Sequence, residues 1–219
     1  KYLDDVLTDI KFSNVAWNDD KGVFYKKNSN KEFFAKDSTY QLYYHKIGDI
    51  QSKDQLVFDT SNTKSNFSFF TKQNKLFIVE TSEDETTKNY YYSTIENESF
   101  QFKNFIKDDK SNLELLNIIN DKFYFSDEKY SWGNISYFDI NNRTENTILI
   151  PQVYSHLLVG ATFLENYIIC KYDNMGKYYM SIHDYTGKFI RKFEAPHNMD
   201  FQIRFYDEKT NELFVTFYS

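Results

Sequence analysis

Side chains that could carry chemistry are sparse in this chain of 219 residues: His45, His156, His183 and His197, one cysteine at Cys170, and carboxylates with no evident grouping. A hydrolytic serine would need the elbow G-x-S-x-G, whose glycines let a strand turn sharply into a helix and present the hydroxyl. Gly133-Asn134-Ile135-Ser136 comes nearest, with the wrong spacing and a strand-like context. The histidines share no motif. His45 and His183 fall in strand-like stretches, and His156 follows Ser155 at the opening of another. Each reads as an ordinary surface or half-buried imidazole, and no Ser-His-Asp set can be assembled from spacing. Metal ligation has no footing either. There is no C-x-x-C, H-E-x-x-H or EF-hand loop; Asp173-Asn174-Met175-Gly176 lacks the later carboxylate of a calcium loop, and Asp19-Asp20-Lys21-Gly22 reads as a hairpin turn. Six scattered glycines make no phosphate cradle. Asn-X-Ser/Thr triplets at Asn66, Asn97, Asn134 and Asn142 are what chance supplies in a chain rich in Asn and Ser. The sequence nominates no catalytic, cofactor-binding or metal-ligating residue, and no cofactor.

The elements that must position these groups are strands. Phe and Tyr are strand formers, and 22 Phe with 19 Tyr is far more than a helical bundle uses. Asn, Asp and Lys supply turns and wet strand faces. A net charge of −6 argues against nucleic acid, which needs a positive footprint. The local cluster Lys21, Lys26 and Lys27 reads as the solvated flank of a hairpin. No apolar run approaches the roughly 20 residues that cross a bilayer, so no membrane partner is expected. Cys170, in Tyr-Ile-Ile-Cys, reads as a buried, inert thiol. A lone cysteine forms no internal disulfide, which points to the cytoplasm, with the periplasm as the alternative.

The chain repeats itself. Apolar strand pairs around a polar turn span Phe12–Tyr25, Phe67–Val79, Leu115–Phe125, Leu157–Cys170 and Ile203–Phe217, with turns near Lys21, Asn74, Asp121, Asn166 and Asn211. Between them lies a second, Tyr-rich series at Gln41–Lys46, Tyr90–Thr94, Ile135–Ile140 and Tyr178–His183. Both recur at about 45–50 residues, the length of a four-stranded propeller blade with a buried inner pair and a wetter outer pair. The fold expected is all-β: a β-propeller of four-stranded antiparallel blades, incomplete, with about four to five blades over residues 1–219. Asn14-Val15-Ala16-Trp17 and Val23-Phe24-Tyr25 carry bulk to wedge between neighbouring blades. Asn28–Thr39 is a polar insert, Ser82–Lys88 an acidic solvated loop, and Phe102–Asn117 is expected to hold a short helical turn. Tyr43, Tyr44, Tyr91 and Tyr92 alternate in strands, where packing accounts for them better than a sugar-binding ladder.

The wording of Asp9–Phe58 is the most specific part of the chain. Lys11-Phe12-Ser13, Ala16-Trp17, Gly22, Phe24-Tyr25, Tyr43-Tyr44-His45, Gly48, Gln51-Ser52 and Asp54 together resemble one blade of the propeller in prolyl oligopeptidases. Weaker likeness continues through Asn89–Ile95, Phe163–Tyr172 and Ile182–Phe193. The resemblance implies the substrate-gating propeller of a serine endopeptidase that cuts short oligopeptides after proline, with oligopeptide substrates as partners of the whole enzyme. It also implies that the triad lies in an α/β-hydrolase domain not present in this chain, which is then non-catalytic by itself, with a nucleophile elbow beyond Ser219. The family lends a cysteine and a methionine to the substrate cavity; around Ser65 and Ser82–Glu85, where they would fall, neither occurs, so no pocket residue is carried over. The insert Asn28–Thr39 lies where the family has a flexible loop and is expected to help gate peptide access. Two other readings are a propeller acting alone as a scaffold for proteins or ligands, and the propeller of an oligopeptidase cutting after basic residues. An incomplete propeller exposes unpaired faces, so self-association is expected.

Overall fold

The structure, a computed structural model, describes residues 5–8, 10, 13–28, 40–63, 65–96, 98–110, 113–127, 129–196, 199–207, 209–210 and 212–219. Residues 1–110 and 111–219 form two compact units. In the first unit, β1 (Val15–Asn18), β2 (Gly22–Asn28), β3 (Tyr40–Lys46) and β4 (Gln55–Asp59) make one antiparallel sheet in chain order. A second sheet follows from β5 (Asn66–Lys72), β6 (Lys75–Thr81), β7 (Lys88–Thr94) and β8 (Lys103–Asp109). The second unit repeats the plan. It holds β9 (Glu114–Ile119), β10 (Lys122–Ser126), β11 (Ile135–Asp139) and β12 (Asn142–Ile150), then β13 (Leu157–Phe163), β14 (Ile168–Asn174), β15 (Lys177–His183) and β16 (Phe189–Glu194). A hairpin of β17 (Asp200–Asp207) and β18 (Glu212–Tyr218) closes the series. Four sheets of four meandering strands and one inner pair are the blade-length repeat that the sequence predicts.

Local chemistry sets the hairpins. Gln73-Asn74 and Asn120-Asp121 both hold positive φ at two consecutive residues, the geometry that matches the right-handed twist of the flanking strands. Asn and Asp tolerate it best among non-glycine residues. Met175 and Gly176 repeat the arrangement at the tip of β14–β15, where the Gly176 amide donates to Asp173 Oδ1 at 2.7 Å; the acidic stretch is a turn. The loop after β6 is held by Asp84, whose Oδ1 accepts from Ser82, Thr86 N and Thr86 Oγ1, and it lies in solvent as expected. Only one helical element occurs among the described residues, a 3-10 turn at Gln51–Lys53. The helical turn expected within Phe102–Asn117 is not formed: Lys103–Asp109 is the fourth strand of its sheet and Glu114–Ile119 the first of the next. That fourth strand is mostly wet, so its alternation is weak and the sequence hid it.

Side chains on one face of the first sheet meet the second sheet. Ala16, Phe24, Leu42 and Tyr44 pack with Phe67, Phe69, Leu76, Ile78 and Ile95, and Phe100 closes edge-on against Phe24 at 5.4 Å. Burying each Phe stabilises by about 1.5–3 kcal/mol. Val15 and Trp17 do not wedge into this seam as the sequence suggested. They are 48% and 56% exposed, because the period of two sends Ala16 and Asn18 inward instead. The carbonyls along the first strands' edges are met by side chains. Asn14 Nδ2 donates to Phe69 O at 3.0 Å and Thr71 Oγ1 to Trp17 O at 2.7 Å, satisfying groups that a free edge would leave open. In the second unit, Tyr124, Ile135, Leu149, Ile150, Ile168, Cys170, Tyr172 and Tyr179 form the larger cluster. Residues 29–39, which make up most of the insert, lie outside the described residues, as do Lys11 and Phe12.

Candidate functional site

The residues that make the opening segment distinctive converge on one buried polar network. His45, on β3, is 2% exposed, and its Nδ1 stands 2.7 Å from Asp54 Oδ1. Asp54 follows the 3-10 turn, which swings it back over the sheet so that Oδ2 accepts from Tyr25 OH on β2 at 2.6 Å. Gln51, in the turn, donates from Nε2 to Tyr25 OH at 3.2 Å and to Thr8 O at 3.0 Å, while its Oε1 accepts from Thr8 N at 3.0 Å. The side-chain amide thereby pairs with Thr8 as a neighbouring strand would, strapping residues 5–8 to the blade. The Gly48 amide donates to Asp5 Oδ2 at 2.9 Å. Burial first, and then the hydrogen bond to Asp54, raise the Tyr25 pKa well above the ordinary phenol value, so Tyr25 remains a donor. Gly22 belongs to the same construction. A Cβ there would run into the backbone oxygen of His45 and come within 2.5 Å of Tyr44 OH, which itself accepts from Asn18 Nδ2 at 3.1 Å.

An imidazole oriented by a carboxylate is the rear half of a Ser-His-Asp set, and the front half needs a hydroxyl at Nε2. Here Nε2 faces Asp5 Oδ2 at 3.7 Å and makes no hydrogen bond. The pair is an anchor. A second half-set lies on β15, where Ser181 Oγ is 2.9 Å from His183 Nε2 and His183 Nδ1 is 3.2 Å from Gly187 O. Because a carbonyl only accepts, Nδ1 carries the proton and Nε2 accepts from the serine. Ser181 is 5% exposed and sits mid-strand opposite Cys170, so no substrate carbonyl can reach it. Burial lowers the His183 pKa, against the opposing pull of Gly187 and Asp184, and pushes the Cys170 thiol up to about 12. His156 Nδ1 meets Tyr179 OH at 2.8 Å, and His197 lies outside the described residues. Among the described residues no group of three or more His, Cys, Asp or Glu is placed to hold a metal ion.

Two further features correct or extend the sequence reading. Lys26 is not a solvated flank: it is 7% exposed, its Nζ donating to Phe67 O at 2.6 Å, and burial lowers its pKa. The strand period puts Lys26 on the same face as Phe24, but both faces of β2 are buried here and only the packed sheet shows what covers the lysine. Ser65 is buried and donates to Glu80, whose other oxygen accepts from Tyr91 OH at 2.8 Å, a closed network rather than a cavity wall. Tyr44 and Tyr92 are buried, as packing predicts for the Tyr pairs. In the second unit a groove of about 780 Å³ lies between β15–β16 and the final hairpin, walled in part by Ile169, Met180, Ile182, Phe193, Leu213 and Val215. Tyr167, Arg191, Glu194 and Tyr206 share its lining, so the wall is mostly but not wholly apolar.

A family model described as prolyl oligopeptidase, N-terminal beta-propeller domain, matches residues 1–219. The prolyl endopeptidase of Elizabethkingia meningoseptica is 24% identical over 208 residues, covering 90% of this chain and 29% of that enzyme. That of Elizabethkingia miricola is 25% identical over 207 residues, with the same coverage of 90% and 29%. The chain thus spans less than a third of the curated relatives it matches. Apo prolyl oligopeptidase B from Galerina marginata shares its fold, with a TM-score of 0.75 at 16% identity over 99% of this chain and 31% of that one. Repeat, blade plan and family model agree: this chain belongs to the prolyl oligopeptidase N-terminal β-propeller domain family.

Proposed function

We propose that the chain is the substrate-gating propeller portion of a prolyl oligopeptidase-like serine endopeptidase that cleaves short peptides after proline. The observation that carries this reading is the family match over residues 1–219, joined to relatives named prolyl endopeptidases that are more than three times as long. In this reading the propeller restricts access, so that folded proteins are kept from the peptidase centre while short peptides pass. Acyl transfer belongs to a serine, histidine and aspartate elsewhere in the full protein, since the imidazoles described here are committed to structural hydrogen bonds. The same reading places the protein in the cytoplasm, consistent with one buried thiol and no disulfide.

The test is direct. The full protein is expected to release a chromophore from a proline-containing reporter peptide, to lose that activity on serine-directed labelling, and to discriminate against long peptides. This chain alone is expected to show no turnover. Hydrolysis by the purified chain that disappears on serine labelling would overturn the assignment, as would a full protein that binds a macromolecular partner and cleaves nothing.

A further inference from the structure

Two lysines cross from one sheet to the next from the same place in the repeat. Lys26 on β2 lies two residues before Asn28, whose register partner is Tyr40; Lys171 on β14 lies two residues before Asp173, whose register partner is Tyr178. Each ammonium reaches the opening of the following sheet's first strand and meets the same set of groups. One is a phenylalanine carbonyl, Phe67 O at 2.6 Å or Phe201 O at 2.9 Å. The next is the side-chain oxygen of the preceding Asn or Asp: Asn66 Oδ1 at 3.4 Å or Asp200 Oδ1 at 2.5 Å. Two ring faces complete the cage, Tyr40 and Phe67 at 4.7 and 4.9 Å, or Tyr178 and Phe201 at 5.1 and 5.0 Å. In both, that same Asx oxygen also accepts from the phenylalanine's own amide, at 2.8 Å in one and 2.6 Å in the other. Both phenylalanines are buried.

The seam between β9–β12 and β13–β16 holds eight buried apolar-cluster residues, and the Lys26 seam holds nine beside its clasp. At the Lys171 seam the fully buried apolar contacts among the described residues are Ile169, Met180 and Phe201, with Tyr178, Ile182, Leu213 and Val215 partly buried against them. Apolar contacts do not single out one partner atom, whereas an ammonium that is buried at Lys26 and 24% exposed at Lys171 has one seating in which carbonyl, Asx oxygen and rings are all met. Any other seating gives up those contacts, and at Lys26 it also leaves the charge buried without them. We propose that this lysine clasp, Lys on a second strand reading Asx-Phe at the start of the next sheet, is a registering device that fixes where the following blade's first strand sits, used at two seams of this chain.

Hydrogen exchange of β5 and β17 amides in the full protein tests it. Lys171→Met keeps the stem and removes the charge; it is expected to speed exchange at Phe201–Ile203 by about tenfold or more while leaving β9–β12 unchanged, with Lys171→Arg restoring most of the protection. Asn66→Asp copies the Asp200 arrangement into the first clasp without deleting a contact, and is expected to slow exchange in β5 about threefold. Exchange in Lys171→Met within about twofold of the parent would overturn the proposal, as would unchanged or faster β5 exchange in Asn66→Asp. If Lys171→Met does not fold, the Asn66→Asp result decides alone.

Discussion

Asp54 is the residue whose removal tests the network most sharply. Its side chain is 3% exposed and accepts from His45 at 2.7 Å and Tyr25 at 2.6 Å. A hydrogen bond to a charged acceptor is worth about 1.5–3 kcal/mol net, and each buried donor left unmatched costs about 1–3 kcal/mol more. Gln51 donates to Tyr25 OH and cannot take its proton, but removing Asp54 also removes the cost of burying a carboxylate, so the losses do not simply add. Asp54→Ala is therefore expected to destabilise by about 3–5 kcal/mol. At roughly 2–4 °C per kcal/mol for a domain of this size, that is a fall in Tm of about 6–20 °C. Urea denaturation followed by Trp fluorescence, with calorimetry alongside, measures it. The asymmetry is as diagnostic as the size. A double variant, His45→Phe with Asp54→Leu, removes both partners and is expected to recover about 1–2 kcal/mol relative to Asp54→Ala, because no imidazole is left stranded. A loss below about 1 kcal/mol in Asp54→Ala, or a double variant no more stable than Asp54→Ala, would refute the claim that these residues anchor the blade.

Other consequences can be checked with less effort. Gly22→Ala puts a Cβ against the His45 backbone and Tyr44, so a loss of about 1–3 kcal/mol is expected in the same denaturation assay. Because burial lowers the His183 pKa, the folded chain binds fewer protons at this site than the unfolded one just below the ordinary imidazole value. Its contribution to stability is therefore complete above about pH 6.5 and declines as pH falls from there toward the lowered folded value. Denaturation midpoints at several pH values should show this slope, and His183→Gln should flatten it. The Cys170 thiol, pushed up to about 12 by burial, should take up a thiol-reactive dye only as the chain unfolds; fast labelling of the native state would contradict its placement.

Much of the fold was legible because its signals are local. Tyr alternation marked β3 and β7, and Asn-containing turns marked the hairpins at Asn74 and Asp121. The outermost strand Lys103–Asp109 was not legible, since a mostly wet strand buries too few residues to show a period. Lys26 and Trp17 were misread for a related reason. Whether a charged residue is solvated, or a Trp buried, depends on which sheet faces it, and Lys26 finds Phe67 41 residues away in sequence. The distinctive wording around His45, Gln51 and Asp54 pointed to the family without showing its purpose, because the turn that brings Asp54 over Tyr25 appears only once the chain is folded.

Composition and periodicity by themselves determined an all-β chain of blade-length repeats, since strand propensity and turn chemistry act between near neighbours. Tertiary structure alone decided what the polar residues are for. It turned the His45–Asp54 pair into a sealed anchor and the Ser181–His183 pair into a buried hydrogen bond, and it made two lysines into clasps across seams. Those roles rest on distances between residues far apart in the chain, and only packing fixes such distances.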